Sequence, residues 1–96
     1  MSLNKTKVLA SAQKYVQRGA FDKAIREYQR LIEEDPKDVR TLLRIGDLHA
    51  RRGDAVGAAR TYEKVAQTYS EQGFYQKAVA VYKQILKADP GQPEIN

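Results

Sequence analysis

The sequence predicts an all-α fold, a stack of antiparallel helical hairpins with about five helices, and three observations carry that prediction. A pattern of Gly, four residues, Ala, three residues, Tyr occurs three times without gaps, over 19–28, 53–62 and 73–82. Apolar residues fall at helical spacing along each intervening segment. Nowhere does the strict apolar–polar alternation of a half-buried strand compete with them. Composition agrees: 42% apolar and 30% charged residues in 96 suit one globular domain with a modest core, and exclude a disordered chain.

The first helix is expected over 5–18, with Val8, Leu9, Ala12, Tyr15 and Val16 on one side. Gly19 then permits the left-handed turn that ends it. The second, over 21–33, carries Ala24, Ile25, Tyr28, Leu31 and Ile32. Pro36 is read as the first turn of the third helix, where its missing N–H costs nothing, with Asp35 as its N-cap. That helix, over 37–51, carries Val39, Leu42, Leu43, Ile45 and Leu48. A fourth helix over 55–72 and a fifth over 74–87 follow, separated by Gly73, and Asp89-Pro90 repeats the Asp35-Pro36 signal after the fifth.

Two further slots recur at constant offset. Ala12, Gly46 and Ala66 each lie 12 residues before the repeat alanines Ala24, Ala58 and Ala78, while Tyr15, His49 and Tyr69 lie 9 before them. Small residues let two helix axes approach closely, and tyrosines fill the space beside them. Tyr15, Tyr28, Tyr62, Tyr69 and Tyr82 are therefore expected in the core, and Tyr75, off the pattern, at the surface. His49 shares the slot of two tyrosines and reads as a packed interface residue, not a ligand or base.

The motif Leu42-x-x-Ile45-Gly46-x-x-His49 followed by Ala58-x-x-x-Tyr62 resembles the tetratricopeptide repeat, whose period is about 34 residues. The resemblance covers nearly the whole chain. The first two copies, opening at Gly19 and Gly53, are one full period apart, but the third opens at Gly73, well short of a second period. The shortfall amounts to about four helical turns. The fourth helix must then serve as the second helix of one repeat and the first of the next, with Val65 shared by both patterns. The last helix thereby runs in reverse relative to a regular array, which breaks a smooth groove through all three copies.

The resemblance implies a partner-binding concave surface lined by the first helix of each hairpin. The matching positions are Thr6, Leu9, Gln13, Val16 and Gln17 on the first helix, and Arg40, Leu43, Asp47, Ala50 and Arg51 on the third. Arg44 joins Arg40, Asp47 and Arg51 in a stripe at i, i+4, i+7 and i+11. Arginine forks hold carboxylates bidentately, so an acidic peptide or another protein's acidic segment is the expected ligand. The competing explanation is that Asp47 pairs with Arg44 or Arg51 on a solvated helix. The Lys/Asn carboxylate clamp of some family members does not carry over, because Leu9, Gln13, Leu43 and Asp47 stand in its place.

Charge and motifs bound the remaining classes. The net charge is +5, with seven bases against three acids through Glu33. That balance would attract acidic partners or nucleic acid, or simply mark a solvated face. The bases are interleaved with acids and no Lys/Arg stripe suggests a phosphate track, so a nucleic-acid adaptor ranks third. No nucleophile–base pair, metal-spaced cluster or phosphate loop is found, so no enzyme activity, cofactor or metal is expected. No apolar run approaches the length of a membrane span, no secretory signal opens the chain and there is no cysteine, which points to the cytoplasm. Val79, Val81, Tyr82, Ile85 and Leu86 are too many apolar residues for one side of the last helix. Residues 88–96 resemble the loop and first turn of another repeat, Ile95 included. The single repeat domain, 1–96, is thus expected to be a segment of a longer array or to self-associate through its terminal helix.

Overall fold

The computed structural model describes residues 4–88. Five helices fill them: α1 (Lys5–Gln17), α2 (Phe21–Glu34), α3 (Val39–Arg51), α4 (Ala55–Glu71) and α5 (Tyr75–Ala88), with no strand among the described residues. Each helix packs on its neighbours in the chain. Met1-Ser2-Leu3 and the Asp89-Pro90 signal, with Ile95, lie outside the described residues.

Three of the four turns are built alike. After α1, α3 and α4 a glycine adopts φ of +77°, +82° and +86° (Gly19, Gly53, Gly73). The residue after each glycine donates its N–H to the carbonyl five positions back: Ala20 to Tyr15, Asp54 to His49 and Phe74 to Tyr69, at 2.8–2.9 Å. This Schellman closure satisfies carbonyls that the helix end leaves over, among them those of Tyr15, His49 and Tyr69.

The α2–α3 turn differs from expectation. Pro36 and Lys37 sit in a tight turn rather than in the first turn of α3, and Asp35 ends α2 instead of capping the next helix. The N-cap is Asp38, whose carboxylate accepts from the Thr41 N–H at 3.3 Å and the Thr41 hydroxyl at 2.8 Å. Asp35 accepts from the Lys37 N–H within the turn. Two aspartates flank the proline, and the one three residues before a helical N–H wins the cap.

Beyond Tyr62 no such turn forms. Where Pro36 follows Tyr28 by eight positions, Ser70 follows Tyr62, and α4 runs on to 17 residues against 14 in α2. The core is correspondingly two clusters sharing α3. Val8, Ala12, Ala24, Ile25, Tyr28, Leu31, Ile45 and Leu48 form the first, across α1, α2 and α3. Leu42, Ala58, Tyr62, Val65, Ala66, Ala78 and Val81 form the second, across α3, α4 and α5. All six small-slot residues are buried. Val65, shared by both patterns, is completely buried. A Cβ on Gly46 would lie 2.5 Å from the Tyr62 ring, so this slot admits the ring only because it carries no side chain. Each large apolar side chain so buried contributes about 1.5–3 kcal/mol.

The tyrosine series divides. Tyr28 and Tyr62 are each 2% exposed, Tyr15 and Tyr69 are half-buried, but Tyr82 is exposed. Tyr82 holds the repeat slot on a helix that no later described helix covers, so the expectation of a core residue fails there. Tyr75 is exposed as expected.

Candidate interaction surface

Thr6 and Ala50 are exposed and line neither depression, and the helices distribute the other nine candidate residues unevenly. Gln13, Val16 and Gln17 from the C-terminal half of α1 meet Arg44, Asp47 and Arg51 of α3 around one cleft of about 300 Å³. Tyr28 of α2 and Leu48 of α3 complete its lining. Arg40 and Leu43, one turn earlier on α3, instead face a second depression with Lys5, Lys37 and Tyr69. Leu9 is half-buried against the first core cluster. The stripe is therefore split, because Arg40 lies about three helical turns from Arg51 and each turn carries the chain further along the axis.

Aromatic rings hold the two cleft arginines. The Arg44 guanidinium lies 5.9 Å from the centroid of Tyr28, and that of Arg51 lies 4.5 Å from Phe21. Such contacts are worth about 0.5–1 kcal/mol at exposed sites, and they leave the in-plane N–H donors of a guanidinium unspent. Asp47 does not pair with either arginine. Its Oδ1 accepts the Tyr62 hydroxyl, a bond reaching from α4 to α3. Burial pushes the Tyr62 phenol well above its ordinary range, and the hydrogen bond to Asp47 and its charge add to that. Tyr62 therefore stays a donor, and Asp47 is anchored from behind.

The cleft floor carries Tyr28, and rings from Tyr28 and Phe21 position the cations. Sequence reasoning assigned Tyr28 to the core and gave Phe21 no role. No sequence signal links Arg51 to Phe21, far away in the chain on another helix. His49 is half-buried, with Nδ1 3.3 Å from Asp54 Oδ2 but without hydrogen-bond geometry. Asp54 itself N-caps α4 through the Gly57 N–H at 2.8 Å.

Asp38 carries the other shifted group. Partial burial raises its carboxyl pKa, but hydrogen bonds from Thr41 and the nearby Lys5 ammonium outweigh this and hold it below the usual value. Among the described residues no group of three or more His, Cys, Asp or Glu could hold a metal, and no helix is long and apolar enough to cross a membrane.

Comparison with known proteins places this geometry. A tetratricopeptide repeat family model matches residues 9–71, and a second model of the same description matches 59–92. The two matches overlap on α4, which is read as the closing helix of one repeat and the opening helix of the next. Curated relatives include the Photosystem I assembly protein Ycf3 of Synechococcus sp. WH7803, 29% identical, and of strain CC9311, 27% identical. Each alignment covers 80% of this chain and 41% of the relative, so the chain spans about two fifths of their length. The solution NMR structure of a tetratricopeptide repeat domain protein from Salinibacter ruber superposes with a TM-score of 0.73, covering 95% of this chain and 91% of that one at 24% identity.

Proposed function

This chain belongs to the tetratricopeptide repeat family, and from that premise we propose that it is a protein–protein interaction module, a scaffold that binds an acidic partner segment in the α1–α3 cleft without catalysing a reaction. The observation that supports the reading is the convergence of Gln13, Val16, Gln17, Arg44, Asp47 and Arg51 on one cleft. Arg44 and Arg51 supply fork donors for carboxylates, Gln13 and Gln17 supply amide donors and acceptors for a backbone, and Val16 and Leu48 offer apolar contact. Asp47, fixed by Tyr62, accepts a ligand N–H. The curated relatives are named as assembly proteins, and an assembly scaffold for this chain is in keeping with that. The reading carries with it a cytoplasmic location and membership of a longer repeat protein.

The test is binding of a fluorescein-labelled Asp/Glu-rich peptide, followed by anisotropy, to wild type and to Arg44→Glu/Arg51→Glu. Loss of two charge-assisted hydrogen-bonding groups should weaken binding at least about tenfold. Equal affinity for both proteins would remove the cleft from the proposal. A lysate pull-down with and without nuclease separates the nucleic-acid alternative: a partner that vanishes on nuclease treatment would replace an acidic protein with RNA or DNA.

A further inference from the structure

Three charges stand on the cleft side of α3, and none is neutralised by its neighbour. Arg44, Asp47 and Arg51 are the charged members of the cleft lining, placed at i, i+3 and i+7. Asp47 lies within about one turn of both arginines, the spacing at which residues on a helix surface pair. Yet no ion pair joins any of the three among the described residues.

Instead, an aromatic residue of another helix holds each charge. Tyr28 of α2 lies 5.9 Å from the Arg44 guanidinium, and Phe21 of α2 lies 4.5 Å from that of Arg51. From α4, the Tyr62 hydroxyl donates to Asp47 Oδ1. A neutral phenol leaves the carboxylate its charge, and Oδ2 keeps its capacity to accept. The α3 wall therefore presents a plus–minus–plus series that is set in place by the fold, and preorganisation of this kind lowers the cost of binding.

The facing wall is neutral. Gln13 and Gln17 of α1, one turn apart and exposed, offer amide donors and acceptors beside half-buried Val16. An extended backbone has N–H and C=O groups to meet such amides, whereas a helix has already paired its own. An extended chain repeats its side chains on one face about every 6.6 Å, and α3 sets the three charges about 4.5 and 6 Å apart along its axis. Long arginine side chains cover the difference, so alternate residues of a strand meet successive charges.

Resting on the reading of this cleft as the binding site for an acidic segment, we infer that its ligand is an extended segment of another protein in which two acidic residues flank a basic one at alternate positions. The acids take Arg44 and Arg51 through charge-assisted hydrogen bonds, and the base takes Asp47. A purely acidic segment would set a carboxylate against Asp47, and like charges brought together in an interface are costly. The charge series is the same from either end, so the segment's charges fit in either chain direction.

Three fluorescein-labelled peptides, titrated into the full chain and followed by anisotropy, test the inference. They carry Glu-Ala-Lys-Ala-Glu, its permutation Lys-Ala-Glu-Ala-Glu, and Glu-Ala-Glu-Ala-Glu, each within the same neutral flanks. The permuted peptide keeps composition and net charge but reaches only two of the three charges in any register. The first should therefore bind about tenfold tighter than the permuted one. It should also outbind the all-acid peptide at about 0.15 M salt, where long-range attraction is largely screened. Asp47→Asn, which can still accept the Tyr62 hydroxyl, should abolish the preference for the first peptide over the all-acid one, and Asp47→Lys should reverse it. Equal binding of the first and permuted peptides by wild type, or tighter binding of the all-acid one, overturns the inference. The cleft reading survives that result if Arg44→Glu/Arg51→Glu still weakens binding. If the double variant binds all three peptides as wild type does, or wild type binds none, the cleft reading falls and the inference with it.

Discussion

Tyr28 and Tyr82 stand in the same place in the repeat, four positions after a buried alanine, on helices of 14 residues each. The first is 2% exposed and the second 45%. Around Tyr28, α3 brings Ile45 and Leu48 into the same cluster. Beside Tyr82, no described helix packs on the corresponding side of α5. A repeat motif therefore fixes where a side chain points relative to its own hairpin, while its burial is supplied by the next element. The same contrast separates two surfaces: the α1–α3 cleft forms where two hairpins meet, and the outer α5 face is one on which no further described helix packs.

The largest expected effect tests that contrast directly. Tyr28→Ala should cost about 3–5 kcal/mol in urea unfolding, the range for losing a buried aromatic side chain. Tyr82→Ala should cost less than about 1 kcal/mol, as for other exposed positions. Equal losses would mean that α5 is covered in solution and would break the comparison.

A smaller effect sharpens it within one slot. Alanine occupies the Gly46 position in the other two copies, as Ala12 and Ala66. Gly46→Ala should nevertheless destabilise, because the added Cβ would meet Tyr62 at 2.5 Å and displace the ring that donates to Asp47. Overpacking costs about 1–3 kcal/mol, partly offset by roughly 1 kcal/mol of helix propensity. A thermal midpoint at or above that of wild type would show that Tyr62 relaxes freely.

The smallest effect compares two aspartates around one proline. Asp38→Ala should cost about 1 kcal/mol through loss of the cap, and Asp35→Ala only a few tenths. The sign with pH follows from the lowered Asp38 carboxyl. A group held low in the folded state stabilises it above the unfolded value, about 4, and that stabilisation is lost as pH falls through the folded value. The gap between wild type and Asp38→Ala, measured by urea midpoints, should be full at about pH 6–7 and shrink on acidification below about 4. A gap constant with pH would assign the cap a purely geometric role.

Much of this architecture is legible in the residues. Gly19, Gly53 and Gly73 mark turns because few other residues adopt positive φ. The shortened step from Gly53 to Gly73 announces a shared helix because helix length scales with residue count. What the spacing misplaced was the cap, since Asp35 and Asp38 are equally good cap residues and only the turn between them decides which carboxylate reaches a free N–H.

The candidate cleft was legible only in part. Helical spacing placed Arg44, Asp47 and Arg51 on one side of α3, and resemblance added Gln13, Val16 and Gln17. Spacing could not say that Arg40 and Leu43 turn to another depression, that rings of Tyr28 and Phe21 hold the arginines, or that Asp47 answers to Tyr62. The sequence by itself determined the helices, their order and the small residues at their contacts, because these depend on interactions within a few turns of chain. Only the tertiary structure decided which charges are shared, anchored or free and which apolar faces stay open, because those depend on what distant segments bring into contact.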